Sequence, residues 1–271
     1  MSTPQMSADE RAIFGPWLGR WGLVADGGVI TGPNSRLLPV RRGDERLMLK
    51  AAMQPREVRA AGYLVWLGGV GGPAVLALEE DAMLMERVVG PRSVLAMEDA
   101  GDERGALGVL CEVAAALHAP RPEPPPETVD LAAWFGRLIE LGPSRGGVFG
   151  RAATLVAPLL ADQRDVRVLH GDLHHWNVLD GGERGWLAID PNALIGERTL
   201  EFALMVLPTD LVRDTDSATL RRRAQLVGEL ADVDPRRLLT WLMAQSACWN
   251  LHAAPGRDWV GVAEAAEAAM G

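Results

Sequence analysis

The 271-residue sequence predicts an α+β protein in two unequal lobes. Residues 1–87 read as a small antiparallel sheet with one inserted helix, preceded by an N-terminal helix, and residues 88–271 as a larger, mainly helical lobe. Three observations predict it. Short β-like runs cluster between Gly28 and Arg87 around one amphipathic stretch. Helical periodicity dominates after Gly90-Pro91, and a single β-like island, Val166 to Asp190, interrupts it. The length suits two lobes, and 48% hydrophobic residues can fill their cores.

The elements follow in order. Residues 7–20 form an amphipathic helix, with Ser7 as N-cap and acidic residues in its first turn. Val29-Ile30, Arg36 to Arg41 and Arg46 to Ala51 are strands, the last two joined through Arg42-Gly43-Asp44. Pro55 starts a helix that runs to Leu67, and Gly68 to Gly72 ends it. Val75 to Leu78 and Ala82 to Arg87 make a further strand pair. The helical lobe has helices at Asp102–His118, Asp130–Leu141, Gly150–Asp162, Thr199–Leu207, Ser217–Leu230, Pro235–His252 and Asp258–Met270. Pro120 to Pro126 is an extended proline-rich connection, and no internal repeat is present.

Composition narrows the function. The net charge is −9, all of it in residues 88–271. An acidic helical lobe argues against a nucleic-acid partner. It would suit a cationic ligand, although taken alone a solvated acidic surface is the better explanation. No apolar run reaches membrane-spanning length, and Asp9, Glu10 and Arg11 stand where a secretory peptide needs an apolar core. A soluble cytoplasmic protein is expected, with Cys111 and Cys248 as buried free thiols. Of 27 basic residues, Lys50 is the only lysine. Lysine is a compact point charge and arginine a planar fork, so Lys50 marks either a site that rejects arginine or a chance survival.

The chemistry concentrates in His170-Gly171-Asp172-Leu173-His174-His175-Trp176-Asn177, which follows the strand Val166–Leu169. Val178-Leu179 and Trp186 to Ile189 then form a hairpin that ends on Asp190, and Pro191 keeps Asp190 out of the helical region. The hairpin brings Asn177 and Asp190 together at adjacent strand ends, with Asp172 on the loop just before. An all-oxygen set suits Mg²⁺, with Asn177 and Asp190 as ligands and Asp172 as the base for an attacking hydroxyl. The spacing H-x-D-x-x-x-x-N followed by a metal-binding Asp is that of a kinase catalytic loop. His170, His174 and His175 are structural, or with Asp172 they form a zinc site, though their order fits no zinc motif.

A kinase-type site demands a lysine on the upstream sheet and a helix glutamate to hold it. Lys50 ends the strand text Arg46-Leu47-Met48-Leu49-Lys50, and Glu57 is the only acidic residue between Glu45 and Glu79. Gly32-Pro33-Asn34-Ser35 either covers phosphates with backbone N–H groups or is an ordinary turn. Met83 to Val88 is either the hinge, with backbone groups of Glu86 and Val88 pairing with adenine, or a plain edge strand.

With these residues assembled, the chain resembles the aminoglycoside phosphotransferases, nearest to the streptomycin 6-phosphotransferase and hydroxyurea phosphotransferase branch. The resemblance rests on Leu169 to Leu179, Ile189-Asp190-Pro191 and Ile195-Gly196-Glu197-Arg198. It implies a two-lobed protein-kinase-like fold, ATP as donor and a hydroxyl of a small molecule as acceptor. It also implies Asp172 as base, Asn177 and Asp190 as Mg²⁺ ligands and Lys50 on the phosphates. Glu201 departs from the family pattern, where an aspartate is expected. A streptomycin-like aminoglycoside is the first acceptor to expect. A non-antibiotic metabolite, a kinase-like protein that binds without turnover, and a zinc hydrolase are the rival readings.

Overall fold

The computed structural model describes residues 6–209, 216–252 and 258–271. Helix α1 (Ala8–Arg20) opens with a reciprocal cap. The Ser7 hydroxyl accepts from the Glu10 N–H, and the Glu10 carboxylate accepts from the Ser7 N–H. The strands β1 (Val24–Ala25), β2 (Ile30–Thr31), β3 (Ser35–Arg42) and β4 (Glu45–Ala52) follow. Helix α2 (Pro55–Leu67) separates them from β5 (Val75–Glu79) and β6 (Ala82–Glu86). All pairings are antiparallel, in the order β1-β3-β4-β6-β5, with β2 also on β3.

The two-residue period of β4 decides what each side chain meets. Leu47, Leu49 and Ala51 join Phe14 and Trp17 of α1 in a small core on one face. Lys50 points to the other face, where α2 lies. Pro55 sits at the first turn of α2, and Gly68 ends it in the left-handed conformation that glycine adopts at least cost. Tyr63, Leu64 and Leu67 of α2 belong to the main core of the helical lobe, so the helix carrying Glu57 is moored there.

The helical part contains α3 (Val94–Asp99), α4 (Glu103–Leu117), β7 (Val129–Asp130), α5 (Leu131–Trp134), α6 (Gly136–Arg145) and α7 (Gly147–Ala161). The strands β8 (Val166–Leu169), β9 (Val178–Asp180), β10 (Trp186–Ala188) and β11 (Leu194–Glu197) come next. Helices α8 (Ser217–Ala231), α9 (Pro235–His252) and α10 (Trp259–Ala269) complete it. Helix α9 packs against α6, α7, α8 and α10, and is buried on most of its surface. No helix among the described residues is long and apolar enough to cross a membrane. Cys111 and Cys248 are free and buried, and burial pushes both thiols up to about 12.

Several elements differ from the sequence expectation, each for a local reason. The helix expected at 130–141 breaks into α5 and α6 at Phe135. This residue turns fully into the core against Trp241, 5.6 Å between ring centroids, and Gly136 follows it. Helix α7 starts three residues early, at Gly147, with positive φ at both Gly146 and Gly147. The helix expected at 199–207 is a pair of 3₁₀ turns. The buried guanidinium of Arg223 takes the carbonyls of Met205, Val206 and Leu207 in place of helix N–H groups. Strand β11 was not expected as a strand. It joins β8 antiparallel and β7 parallel, and Gly196 is required because a Cβ there would lie 2.3 Å from Leu131.

Arg223 also pairs with Glu98, which in turn meets His175 of the His170–Asn177 loop at 2.5 Å. Burial pushes the Glu98 carboxyl up, but the hydrogen bonds and charges of His175 and Arg223 outweigh it and bring it to about 2. A depressed carboxylate stabilises the fold fully above its ordinary 4.5 and loses that contribution as pH falls toward about 2. Glu98→Gln is therefore expected to lower the unfolding free energy at neutral pH by about 1–3 kcal/mol. In urea melts the difference from the parent should shrink through the acid range and vanish near pH 2.

Candidate active site

The loop from His170 to Asn177 is held by buried partners on both sides. The Glu201 carboxylate accepts the N–H groups of His170 at 2.7 Å and Gly171 at 2.8 Å, and pairs with His118 Nε2 at 3.1 Å. The longer glutamate arm thus grips the loop backbone, so the departure noted at Glu201 has a structural role beyond side-chain packing. Burial alone would raise its carboxyl. The His118 hydrogen bond, the charges of His118 and His170 and the Gly171 N–H more than offset that, and hold it below the ordinary range.

The three histidines are scaffolding. His170 is fully buried; its Nε2 bonds the Ile189 carbonyl at 2.8 Å and its Nδ1 accepts the Asp172 N–H at 3.3 Å. That pattern assigns the proton to Nε2, and burial lowers the ring's basicity. His174 Nδ1 accepts the Trp176 N–H, and His175 pairs with Glu98. Among the described residues no three His, Cys, Asp or Glu side chains converge on a metal position. The rings of His170 and His175 are thus committed to neighbouring protein groups.

Asn177 and Asp190 come together as the hairpin requires. Strands β9 and β10 pair Val178 with Ala188, and the Ile189 N–H bonds the Asn177 carbonyl at 2.9 Å. Asn177 Nδ2 donates to the Asp172 carbonyl at 2.9 Å and to Asp172 Oδ2 at 3.2 Å, which leaves Oδ1 as the atom able to accept a cation. Asp190, followed by Pro191, has φ of 60°, a left-handed conformation that Asp tolerates but rarely adopts. Strain of this kind concentrates where a side chain must be aimed. Asp172 Oδ1 is sealed from solvent and has no hydrogen-bond partner. Burial first, and then the Asp190 charge, push the Asp172 carboxyl up to about 8, against the opposing pull of Arg56 and Asn177.

Lys50 Nζ lies 2.7 Å from Glu57 Oε2 and 2.8 Å from Asp190 Oδ1. Lys50 and Glu57 are almost fully buried, whereas the Asp190 side chain is half exposed. Burial alone would lower the Lys50 pKa, but the charges of Asp190 and Glu57 reverse that and raise it. Burial pushes Asp190 up, and the Lys50 charge and hydrogen bond bring it below the usual carboxylate range.

Two cavities meet at Asp190. The first, of 330 Å³, is lined by all the upstream residues singled out from sequence, Ser35, Lys50, Glu57, Glu86 and Val88, together with Asn177 and Asp190. Apolar side chains from both lobes also line it, among them Met48 and Met85 from the sheet and Leu179 from the hairpin. The turn at Gly32–Ser35 is tight, with the Gly32 N–H on the Ser35 carbonyl at 3.0 Å and Arg36 bonded to both carbonyls. The Glu86 N–H is committed to the Ala74 carbonyl at 2.8 Å, and its side chain pairs with Arg184. The second cavity, of 610 Å³, contains Asp172 and shares Pro33, Asn34 and Asp190 with the first. Sequence reasoning missed three features of it. Arg56 lines it beside the two aspartates, and Trp134, Trp249 and Trp259 form its far side, with His252 and Cys248. One arginine among 26, and tryptophans on apolar helices, carry no signal of their own in the sequence.

The sequence profile of the aminoglycoside/hydroxyurea antibiotic resistance kinase family matches residues 20–254. A streptomycin 3''-kinase from Klebsiella pneumoniae is 41% identical over 238 residues, 85% of this chain and 89% of that one. A streptomycin 6-kinase from Streptomyces griseus is 34% identical over 261 residues, 89% of this chain and 82% of that one. Among solved structures, the aminoglycoside phosphotransferase APH(3'')-Id from Streptomyces rimosus aligns with a TM-score of 0.67 at 18% identity, over 90% of this chain and 100% of that one. The fold is therefore the two-lobed kinase-like fold, and the chain belongs to the aminoglycoside/hydroxyurea antibiotic resistance kinase family, a family of small-molecule phosphotransferases that use ATP.

Proposed function

We propose that the protein is an ATP- and Mg²⁺-dependent kinase that phosphorylates a hydroxyl of an aminoglycoside, with streptomycin as the acceptor. One observation carries the reading: a single carboxylate, Asp190, borders both the cavity of Lys50 and the cavity of Asp172. A donor phosphate and an acceptor hydroxyl can therefore meet there. In this reading residues 1–87 serve as the nucleotide lobe and residues 88–271 carry catalysis and the acceptor, in the cytoplasm where ATP is found.

The residues fit the cofactors. Asn177 Oδ1 and Asp190 form an all-oxygen donor pair of the kind Mg²⁺ takes beside phosphates. When bound, the ion neutralises phosphate oxygens and so eases phosphoryl transfer. Lys50, fixed by Glu57, places its ammonium on the phosphates. The Glu86 carbonyl and the Val88 N–H face the adenine edge, since the Glu86 N–H is already used. Ser35, at the end of the tight turn, adds cover over the phosphates. Asp172 accepts the acceptor's hydroxyl proton as that oxygen bonds to the γ-phosphorus. The bond from the γ-phosphorus to the bridging oxygen breaks, and ADP leaves.

Arg56 is the cation at the junction and stands beside both aspartates. It opposes the burial and repulsion that would protonate Asp172, and it can balance charge on the transferring phosphoryl group. Arg56→Ala is expected to lower kcat by about tenfold or more while KM for ATP stays within about threefold. Steady-state kinetics at saturating acceptor checks this.

The direct test is incubation with Mg-ATP and streptomycin, read by mass spectrometry for one added phosphoryl group. The more similar relative is a 3''-kinase, so NMR of the product is expected to place the phosphate on the 3'' position. A parallel panel of amino alcohols and sugars tests the metabolite reading. Modification of a panel member with none of streptomycin would overturn the proposal. Tight Mg-ATP binding with no transfer to any acceptor would leave a binding protein instead.

A further inference from the structure

The acceptor cavity is aromatic where a polycation would lead one to expect acid. Among the described residues that line its 610 Å³, the only carboxylates are Asp172 and Asp190. Both belong to the chemistry, and Asp190 is paired with Lys50. The remaining wall offers three tryptophans. They come from three separate helices or helix starts: Trp134 at the end of α5, Trp249 on α9 and Trp259 at the start of α10.

Their orientations are fixed. Trp134 Nε1 donates to Gln245 Oε1 at 3.0 Å, so its polar edge is spent inside the protein. The Cys248 thiol bonds the Trp134 carbonyl at 3.5 Å, which ties α5 to α9. Trp249 stands edge-on to Trp259, with 4.8 Å between centroids and 78° between planes. Trp259 is buried and acts as the buttress, whereas Trp134 and Trp249 are partly exposed. What this wall presents to a ligand is held aromatic surface.

An aromatic face attracts cations through its quadrupole, and it discriminates between them. A guanidinium is planar and weakly hydrated, so it stacks and loses little solvation. An ammonium is compact and strongly hydrated, so it loses more solvation on an aromatic face and needs strong acceptors to replace its water. Among the described residues the wall has no carboxylate to spare.

We propose that Trp134 and Trp249, buttressed by Trp259, form a subsite that binds planar guanidinium groups of the acceptor and selects them over ammonium groups. This rests on the reading that the cavity takes the acceptor. Streptomycin fits it, because its aminocyclitol carries guanidinium groups where other aminoglycosides carry amines.

The test uses the whole protein and a matched pair of probes, butylguanidine and butylamine, titrated without ATP and followed by tryptophan fluorescence. Butylguanidine is expected to bind about tenfold more tightly or better than butylamine. Trp249→Ala and Trp134→Ala should each remove most of that preference, and Trp249→Phe should keep part of it. In turnover assays Trp249→Ala should raise KM for streptomycin about tenfold, with KM for ATP and kcat within about twofold. Equal binding of the two probes by the parent protein overturns the proposal. So does an unchanged preference in both alanine variants that circular dichroism shows to be folded. Guanidine-selective binding without phosphorylation of streptomycin would sink streptomycin as the acceptor and leave this subsite standing.

Discussion

Asp172→Asn is expected to lower turnover by roughly 10²–10⁴-fold while the affinity for Mg-ATP stays within about threefold. Asparagine keeps the shape and can still accept from Asn177, but it cannot take a proton from the acceptor. The affinity should survive because the Lys50–Glu57–Asp190 trio does not contain Asp172. The fold should not suffer either. Burial and the neighbouring Asp190 push the Asp172 carboxyl up to about 8, so at neutral pH the apo protein strains against ionising it. Its Oδ1 has no hydrogen bond to lose, only a 3.5 Å approach to His174 Nε2. An amide relieves both burdens, and the variant should unfold at the same or a higher urea concentration than the parent. Loss of catalysis without loss of stability separates a catalytic base from a packing residue. A variant that turns over within about tenfold of the parent would remove Asp172 from the chemistry.

The contrast between Asp172 and Trp249 shows what the sequence can carry. Asp172, Asn177 and Asp190 lie within nineteen residues, and the chain between them is a short loop and a hairpin whose pairing follows from local pattern. Lys50 was legible because the two-residue period of β4 fixes its face and because no other lysine competes. Glu57 followed from the helix start at Pro55. The acceptor wall is different. Trp134 and Trp249 are brought together only by the packing of α9, and an apolar helix bearing tryptophan reads the same whether the ring fills a core or faces a cavity. Arg56 is hidden for a related reason: its role depends on where α2 points relative to a loop more than a hundred residues away. The failures in secondary structure share that cause. The carbonyls at 205–207 bond to Arg223 from α8 rather than to their own helix, and no local propensity foretells a distant guanidinium.

Lys50→Met separates the two duties of that lysine. The variant removes the ammonium from the phosphates and from Asp190, so turnover is expected to fall by about 10²–10³-fold. It also leaves Glu57, almost fully buried, without its partner at 2.7 Å. Breaking a buried pair from one side costs about 3–5 kcal/mol, and protonation of the abandoned carboxyl limits the cost. The double variant Lys50→Met/Glu57→Gln takes the charge out with its partner, so most of the lost stability should return. Activity should not return, because nothing replaces the ammonium. Lys50→Arg is expected to fail as well, since a planar fork cannot sit between two carboxylates spaced for a single Nζ at 2.7 and 2.8 Å. Urea melts and turnover measured on the parent, Lys50→Met, Glu57→Gln and the double variant form a double-mutant cycle for stability and for rate. Coupling in stability, together with a rate effect of Glu57→Gln that disappears once Lys50 is gone, places Glu57 as the holder of Lys50 and Lys50 as the group that meets the nucleotide. If the double variant is no more stable than Lys50→Met, Glu57 is not the partner that fixes the lysine. If Lys50→Met works within about tenfold of the parent, the lysine is not on the phosphates at all.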